Sequence, residues 1–494
     1  MDTIRKVFKL IRRLHTRNFW LGFTSGCIYY GYIFFWLWSL YPLTNFGVSG
    51  KLASFFLILF VFFFSVVCMA FFWGLYTFFG VKIIKTTHPF LTPFGLASLF
   101  VLCQYAQAWG FGLFWLGGGT TLGPHWTLGN PAYFFDSIPS IVNISSVLGI
   151  YGIDFLLISL GSAMGLYLWK RTYQSALWTA VLIFTATIIF SGYSGSMQET
   201  KKYIVSIIQT GNPTKIDYTP QEIIDDFAQK STLLKQAAPK SDIVIFPERA
   251  WFSTTLSQFL DPKSFQNFFK TLTKNNILIV DNNRVTEEGG LKSKVLFIDS
   301  QEGIVGTYDK KLLTPGGEFL PYIIKFPLAV LGWLSHKNIP MVEFARGQND
   351  NVLNYGGEKI KVLVCSDIIS PSISRAGSSG LIIELSSLGL FGQNKHIGNQ
   401  ILAMAKFRAV ENKKYLILAS HYGLSYIINP QGKVQEKTDF SGYQILTGEI
   451  ASRTGFTWYN RLGDWPILML SMVLLVIIGT LSPQCQKRFK LFFS

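Results

Sequence analysis

The chain has 494 residues, 49% of them hydrophobic and 16% aromatic against only 15% charged, with a formal net charge of +16. Soluble chains carry about a quarter charged residues, so this balance, with its positive mean hydropathy, excludes a purely water-soluble protein. The charge does not point to nucleic acid: it gathers at Arg5, Lys6, Lys9, Arg12, Arg13 and Arg17 before the first apolar run and at Lys487, Arg488 and Lys490 after the last, with no aromatic-interleaved basic motif beside it.

Six apolar windows approach or exceed the ~20 residues that a bilayer span needs. They lie near 19–42, 53–81, 94–116, 145–169, 174–192 and 465–482. The first is long and rich in Tyr and Trp, unlike a cleaved signal peptide. Flanking charge orients the set. Lys82 and Lys85, and Lys170 and Arg171, sit in the second and fourth connections, whereas 117–144 has no Lys or Arg and a single acid, Asp136. By the positive-inside rule both termini face the cytoplasm and residues 193–464 face outward.

The uncharged, aromatic loop 117–144 suits the headgroup level, either as a plain interfacial loop or as a lipid contact. Asp154, near the outer end of its span, is either functional or solvated at the interface.

From residue 198 a soluble α/β rhythm takes over. Strands are expected at 203–209, 242–246 and 277–281, as a hairpin at 295–299 and 303–309, and at 361–365, 380–385, 415–420 and 425–429. Helices are expected at 221–235, 262–274 and 400–412. Alternating strands and helices over this length imply a layered α/β domain.

Of the five cysteines, Cys27, Cys68 and Cys103 lie in apolar runs and Cys485 in the basic tail, leaving Cys365 alone in the outer domain. No disulfide framework or metal-ligand spacing can be drawn. Taken by itself, Cys365 is either a reactive thiol or an inert core cysteine. Two other strand ends and a glycine turn carry the groups that thiol chemistry requires. Phe246-Pro247-Glu248 places a carboxylate after one strand, Tyr308-Asp309-Lys310 a cation after another, and Glu318 follows the Gly316-Gly317 pair. A thiol attacking an acyl carbon needs a base for its proton and positive charge for the oxyanion.

The order Phe-Pro-Glu, Tyr-Asp-Lys, Pro-Gly-Gly-Glu and Val-Cys-Ser-Asp resembles the Glu-Lys-Cys signature of the nitrilase (carbon–nitrogen hydrolase) superfamily. With spans on both sides, it is similar to that superfamily's membrane-bound apolipoprotein N-acyltransferase family. The resemblance extends to Gln400–Glu411 and to Thr454-Gly455-Phe456 through Arg461–Pro466. It implies a membrane α-helical bundle plus a nitrilase-like αββα sandwich (198–460), inserted before the last transmembrane helix.

It further implies Glu248 as general base, Lys310 as oxyanion-stabilising cation, Cys365 as nucleophile and Glu318 as the carboxylate that orients the lysine. Lys310 is preferred to Lys311 because it stands eight residues before Glu318. Ser366, Asp367, Leu390 and Phe391 become substrate-binding residues. The implied reaction moves an acyl chain from a phospholipid, through a Cys thioester, to the N-terminal amine of a diacylglyceryl-cysteine apolipoprotein. It takes place at the bacterial inner membrane without a metal or organic cofactor. A membrane-tethered amidase using water as acceptor, or a non-catalytic scaffold of the same fold, are the alternatives. The chain departs from the family's pattern at Ser366, Asp367, Ser386-Ser387, Leu390 and His421-Tyr422, with six expected spans where eight are usual. His421 is read as structural.

Overall fold

The computed structural model describes residues 17–169 except 47 and 49, scattered positions between 178 and 189, and residues 197–481 except 212–217, 331–342, 393 and 441. The expected span at 174–192 falls largely outside this set, as do the terminal basic clusters apart from Arg17, and Cys485.

Four helices come first: α1 (Arg17–Ile33), α2 (Lys51–Thr86), α3 (Thr92–Phe114) and α4 (Pro139–Trp169). The last three are long and apolar enough to cross a membrane. The run expected at 19–42 is helical only to Ile33 and continues as two 3-10 segments, Phe35–Leu40 and Leu43–Phe46. Pro42 lies between them, and its missing N–H cannot continue a helical ladder. Helix α4 is broken at Gly149, whose φ of 66° is left-handed and whose Cβ, if present, would meet the Tyr459 ring at 2.3 Å. Glycine is the residue that satisfies both constraints.

The α/β part runs β1 (Gln198–Gln209), α5 (Pro220–Ala237), β2 (Ile243–Ile245), α6 (Phe252–Phe259), α7 (Pro262–Lys270), β3 (Leu278–Glu287), β4 (Gly290–Asp299) and β5 (Gly303–Asp309). It continues through α8 (Tyr322–Val330), β6 (Val352–Tyr355), β7 (Glu358–Val364), β8 (Leu381–Ser387), α9 (Lys395–Asn412), β9 (Tyr415–His421), β10 (Tyr426–Ile428), β11 (Val434–Lys437), β12 (Gln444–Thr454) and α10 (Trp458–Leu462) to α11 (Trp465–Leu481). At 17 residues, α11 extends about 25 Å.

Two six-stranded sheets result, ordered β12-β1-β2-β3-β4-β5 and β11-β10-β9-β8-β7-β6. Strands β1, β2 and β3 are mutually parallel, as are β7, β8 and β9. Side-chain alternation then builds the layers. Ile243, Ile245, Val362 and Val364 meet between the sheets. Val244 and Phe246 face the helix layer of α5, α6 and α7. Leu363, Ile382 and Leu418 face α9, in a core continuous with Met69, Ala97 and Val101 of the membrane helices. The outcome is an αββα sandwich with one face fused to the apolar bundle.

Strands β6, β11 and β12 and helices α6 and α8 carry no signal that the pattern reading registered. β12 mixes polar and apolar residues, yet it pairs antiparallel with β1 from Gln198 to Gln209 and closes the first sheet. Loop 117–130 does not lie as a free interfacial loop. Gly117 and Gly119 pack on Phe319, Thr121 donates to the Lys311 carbonyl at 2.7 Å, and His125 Nδ1 meets Ser370 Oγ at 2.8 Å. Asp154 is likewise not at a wet interface: it is buried and accepts from Asn130 Nδ2 at 2.6 Å.

Candidate active site

Three strand ends converge. Glu248 follows β2, Lys310 follows β5 directly and Cys365 follows β7. Lys310 is fixed at its backbone, its N–H donating to Ser293 O at 2.9 Å. Its Nζ lies 3.2 Å from Glu248 Oε1 and 2.9 Å from Glu318 Oε1. The turn 314–318 completes the cradle: Gly316 adopts φ 76°, and Glu318 Oε2 accepts the Thr314 N–H at 2.8 Å. Lys310 is thus buried and held from both sides.

The nucleophile position is strained. Cys365 has φ 50°, a left-handed conformation that costs a non-glycine residue of order 1–3 kcal/mol and that surrounding structure must enforce. Asp367 is part of that enforcement. Its Oδ2 accepts Val364 N–H at 3.0 Å and Tyr308 OH at 2.8 Å, and its Oδ1 accepts Leu312 N–H at 2.9 Å. These bonds tie the turn after β7 to the lysine-bearing strand. Asp367, expected as a substrate contact, is fully buried with both oxygens engaged in holding the turn that carries Cys365. Ser366 donates to Leu312 O.

Charge sets the protonation states. Burial alone would lower the Lys310 pKa, but Glu248 and Glu318 outweigh it and hold the ammonium well above its ordinary value. Burial, then Glu248, push the Cys365 thiol well up, against the pull of Lys310. At neutral pH the resting pair is therefore an ammonium and a neutral thiol, and attack requires a base. Glu248 lies within electrostatic reach of that thiol.

Two adjoining apolar cavities of about 150 and 170 Å3 meet this site. Cys365, Ser366, Met404, Trp126 and Leu128 line the first, Leu390 lines the second, and Trp36, Leu37, Val61, Gly316 and Phe391 line both. Trp36 packs edge-on against Phe391, with centroids 5.0 Å apart. Sequence reasoning missed Trp36, Leu37, Val61, Trp126 and Leu128, because membrane helices and their loops read uniformly as lipid-facing.

It also passed over Glu384 in the apolar strand Leu381–Ser387 and Arg249 beside Glu248. The signal for Glu384 was a lone charge inside an apolar run. Fully buried, its carboxyl oxygens make no complete hydrogen bond. Burial, Asp367 and Glu248 raise its pKa well above normal, against Lys310 and the nearby Cys365 amide. His421 is buried too, with Nδ1 against Thr210 Oγ1.

Residues 197–459, more than half of the chain, match the carbon-nitrogen hydrolase family. The chain belongs to this family. Its curated relatives include an apolipoprotein N-acyltransferase of Chromobacterium violaceum, 24% identical over 392 residues covering 76% of this chain and 72% of the relative. A Haemophilus ducreyi enzyme of the same name is 24% identical over 400 residues, covering 78% and 74%. One from Pseudomonas paraeruginosa is 31% identical over 191 residues, covering 37% and 36%. Among solved structures, Saccharomyces cerevisiae Nit3 of the nitrilase superfamily is 16% identical with a TM-score of 0.38, covering 51% of this chain and 91% of that one. The Chromobacterium and Haemophilus relatives match more of the chain than the family's own domain, and the protein is an enzyme with membrane character.

Proposed function

We propose that this protein is a phospholipid:apolipoprotein N-acyltransferase, working by ping-pong acyl transfer through a thioester on Cys365. One observation carries the reading: the thiol lies on the wall of an apolar cavity built jointly by the catalytic domain and by residues of α2, α3 and the connection between α1 and α2, such as Trp36, Val61 and Phe111. A water-soluble amide would need no such cavity, whereas an acyl chain gains about 0.8 kcal/mol per buried CH2.

In the first half-reaction Glu248 takes the thiol proton as sulfur attacks the ester carbonyl, and Lys310 faces the developing oxyanion. The C–O bond breaks, the lysophospholipid alcohol receives the proton back from Glu248, and the acyl group stays on sulfur. In the second, the N-terminal amine of a diacylglyceryl-cysteine lipoprotein attacks the thioester. Glu248 accepts the amine proton and returns it to the departing thiolate. Glu318 holds Lys310 in place throughout. Anchoring both substrates in one membrane replaces a three-dimensional search by a local one.

The same reading places the chain in the bacterial inner membrane, with the catalytic domain outside and both termini in the cytoplasm. The basic residues flanking the first and last apolar runs support this orientation.

Intact-mass spectrometry of the purified full chain after incubation with phospholipid tests the reading. An acyl adduct on Cys365 that is discharged to a diacylglyceryl-cysteine peptide is expected. Free fatty acid without acylated peptide would mark a hydrolase, and an adduct persisting in Cys365→Ala would sink the assignment.

A further inference from the structure

A third cavity, of about 240 Å3, shares no lining residue with the apolar pair. That is far above the ~10–15 Å3 one water requires. Its walls include Arg249, Trp251, Arg284 and His421, and it begins at the residue next to Glu248.

Its backbone is unusual. Arg249 and Trp251 are both left-handed, with φ 63° and 53°, in one turn of four residues. Strain of this kind persists where structure demands a particular presentation of side chains. Here it brings two guanidinium groups to one indole: the Arg249 and Arg284 carbons each lie 5.7 Å from the Trp251 ring centroid. Arg284 also lies 5.0 Å from the Phe344 ring.

The hydrogen-bonding balance of the cavity is one-sided. Neither guanidinium takes part in an ion pair among the described residues. The Trp251 Nε1–H is buried without an acceptor. The acids on the wall are engaged elsewhere: Asp226 pairs with Lys230 and accepts from Tyr443 OH, and Glu222 caps α5 at Thr219. Lys230 also donates to Ala250 O at 2.7 Å. His421 is held neutral, burial pushing its pKa down to about 3. Two cations therefore line the cavity unspent, close enough to repel. Burial, and then Arg249, lower the Arg284 pKa to about 10, which leaves it charged at neutral pH. An anion with several oxygens would satisfy both at once.

In a phospholipid the phosphate stands one glycerol away from the acyl ester. When that ester is at Cys365, the phosphate lies within a glycerol's length of the thiol, and the cavity begins at Arg249, the residue next to Glu248. Arg284, across the Trp251 ring from it, lies within electrostatic reach of both Glu248 and Glu318.

We propose that Arg249, Trp251 and Arg284 form a phosphate-binding subsite for the headgroup of the acyl donor. The proposal rests on the acyl-transfer reading above. It is tested by binding, so that the two can fail separately. The full-length Cys365→Ala protein in detergent is titrated with dihexanoyl-phosphatidylglycerol, with dihexanoyl-glycerol and with inorganic phosphate. The Arg249→Gln/Arg284→Gln double variant should bind the phospholipid about 30-fold or more weakly, consistent with losing two charged hydrogen bonds, and bind the diacylglycerol as before. Single Arg→Lys variants and Trp251→Phe, which keep charge or ring, should fall between.

Equal weakening toward both lipids, or none toward the phospholipid, overturns the proposal. Tight inorganic phosphate that does not compete with the phospholipid would make the cavity a free-phosphate site and overturns it too. So does a defect confined to binding of an acidic acceptor peptide. Should the double variant not fold, the single Lys and Phe variants decide by the same comparison. Failure of the acyl-transfer reading would show separately, as no thioester on the wild-type chain.

Discussion

Lys310 and Glu318 form a 2.9 Å ion pair whose side chains are only 1% and 13% exposed, on a lysine that Glu248 also contacts. Removing one partner of such a pair leaves the other charge buried and poorly compensated. Glu318→Gln keeps the shape but turns one acceptor oxygen into an NH2 facing Lys310 or the Thr314 N–H, and should slow single-turnover thioester formation roughly 10- to 100-fold while costing about 1–3 kcal/mol of stability. Glu318→Ala should slow it as well and cost about 3 kcal/mol of stability. Unchanged thioester kinetics in both would show that Glu318 does not position the lysine.

Asp367 joins the nucleophile turn to the strand carrying Lys310. Asp367→Asn replaces one acceptor oxygen by an NH2 facing a backbone N–H or the Tyr308 hydroxyl, so about 1–3 kcal/mol should be lost. Because the φ of 50° at Cys365 is held partly through Val364 and Asp367, acylation should fall more than Tm predicts. The measurement is kcat for thioester formation at a temperature where folding is complete. Normal kcat with lowered Tm would assign Asp367 to stability alone.

Val61 lines both apolar cavities from α2. Val61→Trp should fill part of the space and shorten the preferred acyl chain. The expected result is a fall of about tenfold or more in kcat/KM for a palmitoyl donor with a much smaller change for an octanoyl donor, since each displaced CH2 forfeits about 0.8 kcal/mol. An unaltered chain profile by mass spectrometry of the acyl-enzyme would place the acyl chain elsewhere.

Three buried lysines make stability rise with pH. Lys361 Nζ donates to Asn351 Oδ1, Lys413 to Asn143 Oδ1 and Lys414 to the Arg453 and Gly455 carbonyls, all neutral acceptors. Burial lowers each pKa from 10.5 to about 8. The unfolded chain thus binds more protons between about pH 8 and 10.5, and folding gains as pH rises through that window. Lys310, whose pKa is raised, loses its contribution only above the unfolded value of 10.5, whereas the raised Cys365 thiol opposes the trend from about pH 9 upward, so the net rise is steepest between about pH 8 and 9. Tm of the detergent-solubilised protein should rise by roughly 2–4 °C for each kcal/mol gained between pH 7.5 and 9.5. Lys361→Met should flatten the curve.

The site was legible in the sequence to the extent that its chemistry sits at strand ends. Glu248 and Cys365 each follow a parallel strand, whose last residue is delivered to one edge of the sheet, and Lys310 directly follows β5, which runs antiparallel to β4. Asp367 was named as a substrate contact because spacing says which residue follows the nucleophile, not which way a strained turn aims it. β12 was missed because its ladder is made with β1, more than two hundred residues away, and a local window holds no trace of that partner. Arg249 was passed over because a cation beside a catalytic acid ordinarily reads as solvated rim.

Composition, charge distribution and the order of motifs determined by themselves that an α/β enzyme is carried on apolar helices, because hydropathy, strand period and the identity of strand-end side chains are properties of short segments. The tertiary structure alone decided what surrounds the thiol: the two-sided clamp on Lys310, the acyl-sized cavity that Trp36 and Val61 complete, and the donor-lined cavity at Arg249. Each joins residues from distant parts of the chain. Packing between layers, which no short segment encodes, brings them within a few ångströms.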